Sequence, residues 1–139
     1  AERIASACRD NACDKVTLVG HSMGGLVARA YLAKFGATHV RQLVTIATPH
    51  AGSVLARLGM GRNARQMEPG SPWLGALWRG GMPIPVASIR NSHDNFVMPQ
   101  DNQRLPAAAD LELPATGHLA VLFSDAAAEM LLAVLNERA

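Results

Sequence analysis

The chain has 139 residues, of which 49% are apolar and 17% are charged, and this balance is typical of a folded globular domain. Its net charge of +2 is small and its 13 Lys and Arg residues are dispersed, which argues against nucleic-acid binding. No run of about 18 apolar residues is present, so the sequence predicts no membrane-spanning helix.

The N-terminal residues predict the end of an amphipathic helix over 2–7, followed by a polar loop. This region has no apolar stretch of the length found in signal peptides, and the compartment stays open. Cys8 and Cys13 flank the loop, and we favour free thiols over a disulfide because a single pair makes no disulfide framework. No His or Cys nearby completes a zinc site, and neither a metal nor a cofactor is predicted.

The pattern G-x-S-x-G occurs where an apolar segment, 16–19, gives way to helical periodicity. The apolar segment predicts a parallel strand that is covered on both faces. Gly20 and Gly24 are expected where the strand and helix backbones come close, because glycine has no Cβ to collide. The turn is expected to hold Ser22 in a strained conformation with its hydroxyl projecting outward. The amide of Met23 then lies at a helix N-terminus, where it can stabilise an anion.

Strands and helices are predicted to alternate along most of the chain. The helix after the serine is predicted over 23–35, with Gly36 as its end. Further strands are predicted over 40–46, 86–89 and 110–113, and a last helix is predicted over 124–135 with Ser124 as its N-cap. A strand, a helix and a strand within about thirty residues form one crossover unit. The fold class is therefore α/β, with parallel strands and crossover helices.

Residues 51–85 interrupt this alternation. They contain seven glycines and four prolines, so long regular elements are not expected there. One short helix is predicted, with Ser71 as its N-cap and both tryptophans of the chain among its apolar residues. Two interpretations stay open for those side chains, packing against the sheet or lining an acyl pocket. The candidate substrate-binding residues are His21, Trp73, Leu74, Leu77 and Trp78.

Three polar residues follow three predicted strands in the order nucleophile, acid and histidine, and they are Ser22, Asp94 and His118. This is the order of the α/β-hydrolase fold, and the sequence resembles the second half of a bacterial lipase or esterase of that superfamily. VTLVGHSMGGLVARAYL resembles the nucleophile turn with its helix, and VTIATPHAGS resembles the strand and loop that many lipases carry next. SHDNFVMP is similar to the acid loop and ATGHLAVLFS to the histidine loop.

The resemblance implies a role for each of these residues. Ser22 would attack an ester carbonyl, His118 would take its proton and return it to the leaving alcohol, and Asp94 would orient the imidazole. Met23 would supply one oxyanion-hole N–H through its backbone.

Alternatives exist for the acid and for the base. Asp101 is the second acid candidate, and Asp94 is favoured because it comes directly after a strand end, where such folds place functional groups. The other candidates for the base, besides His118, are His21, His50 and His93. Strand geometry is expected to direct His21 away from the serine hydroxyl. His50 follows a Thr-Pro turn and is expected to have a structural or pocket role, and His93 is adjacent to the acid.

In the superfamily, the second oxyanion N–H comes from a loop that precedes the nucleophile, and nothing before Ser22 resembles that loop. We therefore expect residues 1–139 to form a single, partial α/β-hydrolase domain, with 51–85 as a lid-like or cap-like insertion. The N-terminal half of the fold is expected outside this chain. The strand over 16–19 is then expected to present an unpaired edge.

The resulting hypothesis is a serine hydrolase of carboxylic esters, a lipase or an esterase, that works through an acyl-enzyme and needs no cofactor. Its expected partner is an ester or lipid substrate. The same triad also serves acyl transfer and amide hydrolysis, because the nucleophile does not dictate the acceptor or the leaving group. A third alternative is a non-catalytic fragment or binding module that lacks half of the oxyanion hole.

Overall fold

The computed structural model describes residues 1–79, 82–106, 108–114 and 117–137, and for residues 78 and 79 it describes the backbone alone. Four strands alternate with helices. The strands are β1 (Val16–His21), β2 (Val40–Ile46), β3 (Val86–Asn91) and β4 (Ala109–Leu113). The helices are α1 (Glu2–Asp10), α2 (Met23–Phe35), α3 (Arg62–Gln66), α4 (Pro72–Arg79) and α5 (Asp125–Asn136). Short 3₁₀ turns lie at Val54–Leu58, Gln100–Gln103 and Ala120–Phe123.

The four strands form one parallel sheet in the order β1-β2-β3-β4. The carboxyl ends of the strands therefore share one edge, and the register pairs His21 with Ile46, Ile46 with Ile89 and Asn91 with Leu113. The loops that follow these strands carry the polar residues singled out in the sequence. The predicted α/β class with a parallel sheet is confirmed.

Two apolar cores sandwich the central strands. Residues of β2, β3 and β4 pack with α5 on one side, and residues of β2 and β3 pack with α2 on the other. Every residue of β3 is buried, as expected of a parallel strand that helices cover on both faces. For β1 the same expectation is wrong, because Val19 is 48% exposed. As predicted, β1 is a terminal strand of the sheet that the described residues form.

Residues 51–85 contain short elements, as the glycine and proline content predicts. The helix predicted there is α4, and the hydroxyl of Ser71 accepts the amide of Leu74 at 3.3 Å. Ser124 caps α5 in the same way, through the amide of Ala127 at 3.4 Å. Residues 80 and 81 of the Gly/Pro-rich segment and residues 115 and 116 of the histidine loop lie outside the described residues. Both cysteines are free thiols.

Candidate active site

Ser22 lies in the turn between β1 and α2, with φ 54° and ψ −126°. A non-glycine residue with positive φ is strained, and such strain is concentrated at functional sites. The amide of Ser22 donates to the carbonyl of Ile46 at 2.9 Å, which fixes the turn to the end of the neighbouring strand. The strained serine turn predicted from the motif is therefore present.

The glycines around Ser22 differ in whether the structure leaves room for a Cβ atom. A Cβ on Gly20 would lie 2.6 Å from the amide nitrogen of Gly25, so the strand and the helix can approach only without a side chain there. The expectation for Gly24 is wrong, because a Cβ on that residue would meet nothing within 4 Å. The second restricted position is Gly25, where a Cβ would lie 2.2 Å from the hydroxyl oxygen of Thr48. Close packing against a distant residue, rather than the turn itself, requires this glycine.

Ser22, His118 and Asp94 are joined by two hydrogen bonds. The serine hydroxyl lies 2.8 Å from Nε2 of His118, and Nδ1 of the same ring lies 2.7 Å from Oδ2 of Asp94. A carboxylate only accepts hydrogen bonds, so Nδ1 carries the proton, and Nε2 of the neutral ring accepts from the serine. His118 and Asp94 are both buried. The structure thus brings together the three residues that the sequence analysis placed after three different strands.

The carboxylate of Asp94 is held by the backbone of its own loop. Its Oδ1 accepts the amides of Phe96 and Val97, each at 2.8 Å. Burial acts to raise the pKa of Asp94, but the hydrogen bonds from His118, Val97 and Phe96 outweigh it and lower the pKa below its usual value. Asp94 is therefore an anion in the folded protein over the neutral range.

Asp101, the alternative acid, lies elsewhere. Its side chain is exposed, and it forms a surface ion pair with Arg104 at 3.1 Å. Asp101 therefore pairs with Arg104, whereas Asp94 is the carboxylate that contacts His118.

Residues that the sequence analysis did not identify position the acid and histidine loops. The buried amide of Gln103 accepts the Asn91 amide at 2.8 Å and donates to the Asn91 carbonyl at 3.0 Å, and so pairs with the end of β3 as a further strand would. Oδ1 of Asn95 accepts the amide of His118 at 3.0 Å. A polar loop residue beside the acid is a signal that could have indicated Asn95, but no local pattern indicates Gln103.

Ser53 connects two loops at the site. Its hydroxyl donates to the carbonyl of Phe96 at 2.6 Å and accepts the amides of Met98 at 3.0 Å and Leu55 at 3.3 Å. The loop after β2 is thereby fixed to the acid loop after β3. Ser53 belongs to the TPHAGS motif, which drew attention to the loop but not to this residue.

His21 lies beside His118 and does not line the cavity at Ser22, in which the sequence analysis had made it a candidate substrate-binding residue. Its Nε2 is 2.9 Å from the carbonyl oxygen of His118, and the two rings lie 4.7 Å apart. Burial lowers the pKa of His21, so the neutral ring donates to that carbonyl. This contact supports the backbone of His118.

His50 is fully buried, and both of its ring nitrogens contact side chains of the protein. Its Nδ1 accepts from Arg29 at 3.2 Å, and its Nε2 donates to the hydroxyl of Thr45 at 3.0 Å. Burial, with a smaller contribution from the charge of Arg29, lowers the pKa of His50 to about 3. The ring is therefore neutral at physiological pH. These contacts fix the loop after β2 on α2 and the sheet.

An apolar cavity of about 140 Å³ opens beside Ser22 and His118. Its other lining residues come from the loops after β2 and β3, and they are Pro49, Ser53, Leu55, Ala56, Met67, Phe96 and Val97. The placement of Leu74 and Leu77 in a substrate pocket is wrong, because both are buried against Leu26 of α2, and Trp73 packs on the same cluster. The side chain of Trp78 lies outside the described residues.

Met23 is the first residue of α2, so its amide belongs to the helix turn whose N–H groups have no intrahelical acceptor. The N-terminal dipole adds partial positive charge next to the serine hydroxyl. Among the described residues, no three His, Cys, Asp or Glu side chains come together as a metal site would require. No helix in the described part of the chain combines the length and hydropathy needed to cross a bilayer.

Comparison with known proteins supports the fold. The PGAP1-like alpha/beta domain family matches residues 2–62, which are fewer than half of the chain. No curated protein matches the sequence. The mature Bacillus licheniformis lipase BlEst2 has a similar structure, with 18% identity and a TM-score of 0.76 over 98% of this chain and 69% of that one.

Two further solved structures extend this likeness. MGS-MChE2, an alpha/beta hydrolase enzyme from the metagenome of Mar Chica lagoon sediments, has 18% identity and a TM-score of 0.68, over 99% of this chain and 68% of that one. The enol-lactonase of Burkholderia xenovorans LB400 has 16% identity and a TM-score of 0.60, over 96% and 70%. At these identities the likeness establishes a shared fold.

Proposed function

We propose that this chain, which has the α/β-hydrolase fold, is a serine hydrolase that cleaves carboxylic esters through an acyl-enzyme. The observation that carries the proposal is the pair of hydrogen bonds that link Ser22 to His118 and His118 to Asp94. A nucleophile, a base and a group that orients the base are the requirements of acyl transfer by serine. The apolar cavity beside the serine supports an acyl group as the bound part of the substrate.

The proposed reaction has two halves. In the first, Oγ of Ser22 bonds to the ester carbonyl carbon while its proton moves to Nε2 of His118. The imidazolium then returns that proton to the leaving alcohol oxygen as the ester C–O bond breaks. In the second half, water takes the place of the serine, His118 again accepts and returns the proton, and the carboxylic acid is released. Asp94 stabilises the imidazolium in both halves.

The tetrahedral intermediate of each half carries a negative oxygen. The amide of Met23 is the oxyanion donor that this chain offers, because α2 begins there. The superfamily resemblance implies a second donor from a loop that precedes the nucleophile. Labelling of the serine requires only its activation, whereas full turnover depends on both donors.

A fluorophosphonate probe tests the proposal. We expect the folded protein to be labelled at Ser22, as read by intact mass and peptide mapping, with no labelling in Ser22→Ala or His118→Ala. Ser6→Ala is a matched control, because Ser6 is a partly exposed serine on α1 whose hydroxyl donates to Asp10. Labelling that persists in Ser22→Ala, or a folded wild-type protein that is not labelled, would contradict the proposal.

Acyl transfer and amide hydrolysis use the same three residues, and a product assay separates them from ester hydrolysis. Protein that reacts with the fluorophosphonate probe is given an ester, first without and then with an added alcohol. It is then given the corresponding amide. A serine ester hydrolase releases the free acid from the ester in all cases. A transferase instead forms the new ester when the alcohol is present.

A further inference from the structure

One surface segment next to the cavity combines exposed apolar side chains with arginines. We refer to residues 54–65, which run from the first 3₁₀ turn into α3, as the rim segment. Leu58 is 83% exposed and Met60 is 97% exposed, and Val54 and Leu55 are also exposed. Contiguous exposed apolar surface on a folded domain usually marks a site of interaction.

The charge of the rim segment has one sign. Arg57, Arg62 and Arg65 are exposed, and Arg62 and Arg65 are neighbours on α3 at a spacing of three. Residues 51–67 contain no Asp or Glu. The ion pairs that the described residues form involve other arginines, Arg90 and Arg104. The segment therefore presents positive charge together with apolar side chains.

The rim segment is firmly attached to the domain. The hydroxyl of Ser53 caps its start, and the amide of Ser53 donates to the carbonyl of Met67 at 2.9 Å, which joins its two ends. In the middle, a Cβ on Gly59 would lie 2.8 Å from Cβ of Ala64, so the turn folds tightly onto α3. The protruding side chains are thus presented by an ordered scaffold.

The position of the segment relates it to the cavity. Leu55 lines the cavity together with Ser22 and His118, while Leu58 and Met60 extend outward from the same stretch. Phe96 also lines the cavity and is exposed, and its ring centroid lies 5.2 Å from that of His118. A surface that covers the rim segment would therefore face the cavity mouth.

We propose that the rim segment docks the protein on a lipid bilayer that contains anionic headgroups. Apolar side chains enter the boundary between headgroups and acyl chains, and arginines bind phosphate groups at the same depth. A bilayer suits this surface better than a protein partner does, because single protruding side chains need a soft medium and no complementary groove. Docking is independent of catalysis, so the proposal does not depend on the function of Ser22.

Co-sedimentation with vesicles tests the docking. The whole chain is mixed with vesicles of phosphatidylcholine alone and with vesicles in which about one third of the lipid is phosphatidylglycerol. We expect binding to the anionic vesicles that weakens as salt is raised, because salt screens the attraction. Binding of equal strength to both vesicles, or no binding by the folded protein, would overturn the proposal.

Matched variants locate the surface. One arginine near an anionic membrane contributes about fivefold to partitioning, so Arg57→Gln/Arg62→Gln/Arg65→Gln should weaken binding at low salt by about 100-fold if all three reach the membrane, and by at least about tenfold if two do. The control Arg3→Gln/Arg9→Gln/Lys34→Gln removes the same charge from exposed positions on α1 and α2 and should change binding little. Equal loss in both triple variants would show that net charge, not the rim segment, drives binding, and would refute the docking surface.

The apolar contribution is tested separately. Leu58→Ser/Met60→Ser should weaken binding, whereas Val27→Ser/Phe35→Ser, at exposed positions on α2, should not. Fluorophosphonate labelling of Ser22 is measured in parallel and should be unchanged in every rim variant. Lost vesicle binding with retained labelling supports docking as a distinct property, and rim variants that bind vesicles as the wild type does would overturn the proposal.

Discussion

The substitution of alanine at Gly25, compared with the same substitution at Gly24, gives a sharp test of how the serine turn is packed. The two residues are adjacent in the first turn of α2, so the gain in helix propensity from Gly to Ala, at most about 1 kcal/mol, is similar for both. Their surroundings differ. A Cβ on Gly24 meets nothing within 4 Å, whereas on Gly25 it would lie 2.2 Å from Oγ1 and 2.8 Å from Cγ2 of Thr48.

Thr48 has little freedom to move aside. It is buried, and its hydroxyl is bonded to the carbonyl of Gly20 at 3.4 Å. Overpacking of this kind costs about 1–3 kcal/mol, and loss of the hydroxyl contact adds about 1 kcal/mol. After the propensity gain is subtracted, Gly25→Ala should lower the free energy of unfolding by about 1–3 kcal/mol, and Gly24→Ala should leave it unchanged or slightly raised.

Urea unfolding followed by circular dichroism measures both variants. The double variant Gly25→Ala/Thr48→Ala adds a check, because removal of Oγ1 and Cγ2 should make the two substitutions cost less together than the sum of each alone. Equal stability of the two single variants, or strict additivity with Thr48→Ala, would refute the packing argument.

Three further predictions address chemistry and pH. Asp94→Asn should lower kcat/KM for ester hydrolysis by about 10³–10⁴-fold with a folded structure retained. The amides of Phe96 and Val97 hold the side-chain oxygen, so the NH2 group of asparagine would face Nδ1 of His118, donate to it and favour the wrong tautomer. Steady-state kinetics with circular dichroism would show the loss, and an unchanged rate would reject the role of Asp94. The pKa of His50 is about 3 in the folded protein and about 6.5 in the unfolded chain. As the pH is lowered from about 6 to about 4, only the unfolded chain binds a proton at this residue. The free energy of unfolding should therefore fall by about 1.4 kcal/mol for each pH unit because of His50. His50→Gln should show a pH slope shallower by that amount, and an equal slope would contradict the assignment. An apolar cavity of about 150 Å³ holds benzene, so the cavity of about 140 Å³ beside Ser22 accommodates about six carbons. The kcat/KM for p-nitrophenyl esters should therefore rise about fourfold per methylene from acetate to about hexanoate and then level off. A rise that continues to dodecanoate would show that the acyl chain binds elsewhere.

The parts of the fold that local sequence determines could be predicted from it. The G-x-S-x-G pattern, the apolar run before it and Gly36 locate the turn and the bounds of α2, because each depends on neighbours within a few residues. The grouping of Ser22, Asp94 and His118 follows from topology, since the ends of parallel strands share one edge. These rules predict that the three residues lie near one another, whereas the choice of Asp94 and His118 among the other acids and histidines also rested on the resemblance to the α/β-hydrolase superfamily.

Features that depend on distant packing could not be predicted in this way. Gly25, not Gly24, is restricted because Thr48 lies against it from the next strand's loop. The pattern around Trp73 correctly predicts a helix with an apolar face, but periodicity does not tell which surface that face covers, and Leu74 meets Leu26 rather than the cavity. Gln103 pairs with a strand end through its side chain, and no spacing rule describes such a contact.

The three hydrogen bonds of the Ser53 hydroxyl have a consequence for motion. The two cavity walls that they join come from loops more than forty residues apart, and the amides of Leu55 and Met98 share one acceptor. Neither wall can swing outward without breaking the contacts of the other, so the walls should open together in a single cooperative event. Amide hydrogen exchange at Leu55 and Met98 is then expected to proceed at one common opening free energy, and Ser53→Ala should let the two sites exchange independently.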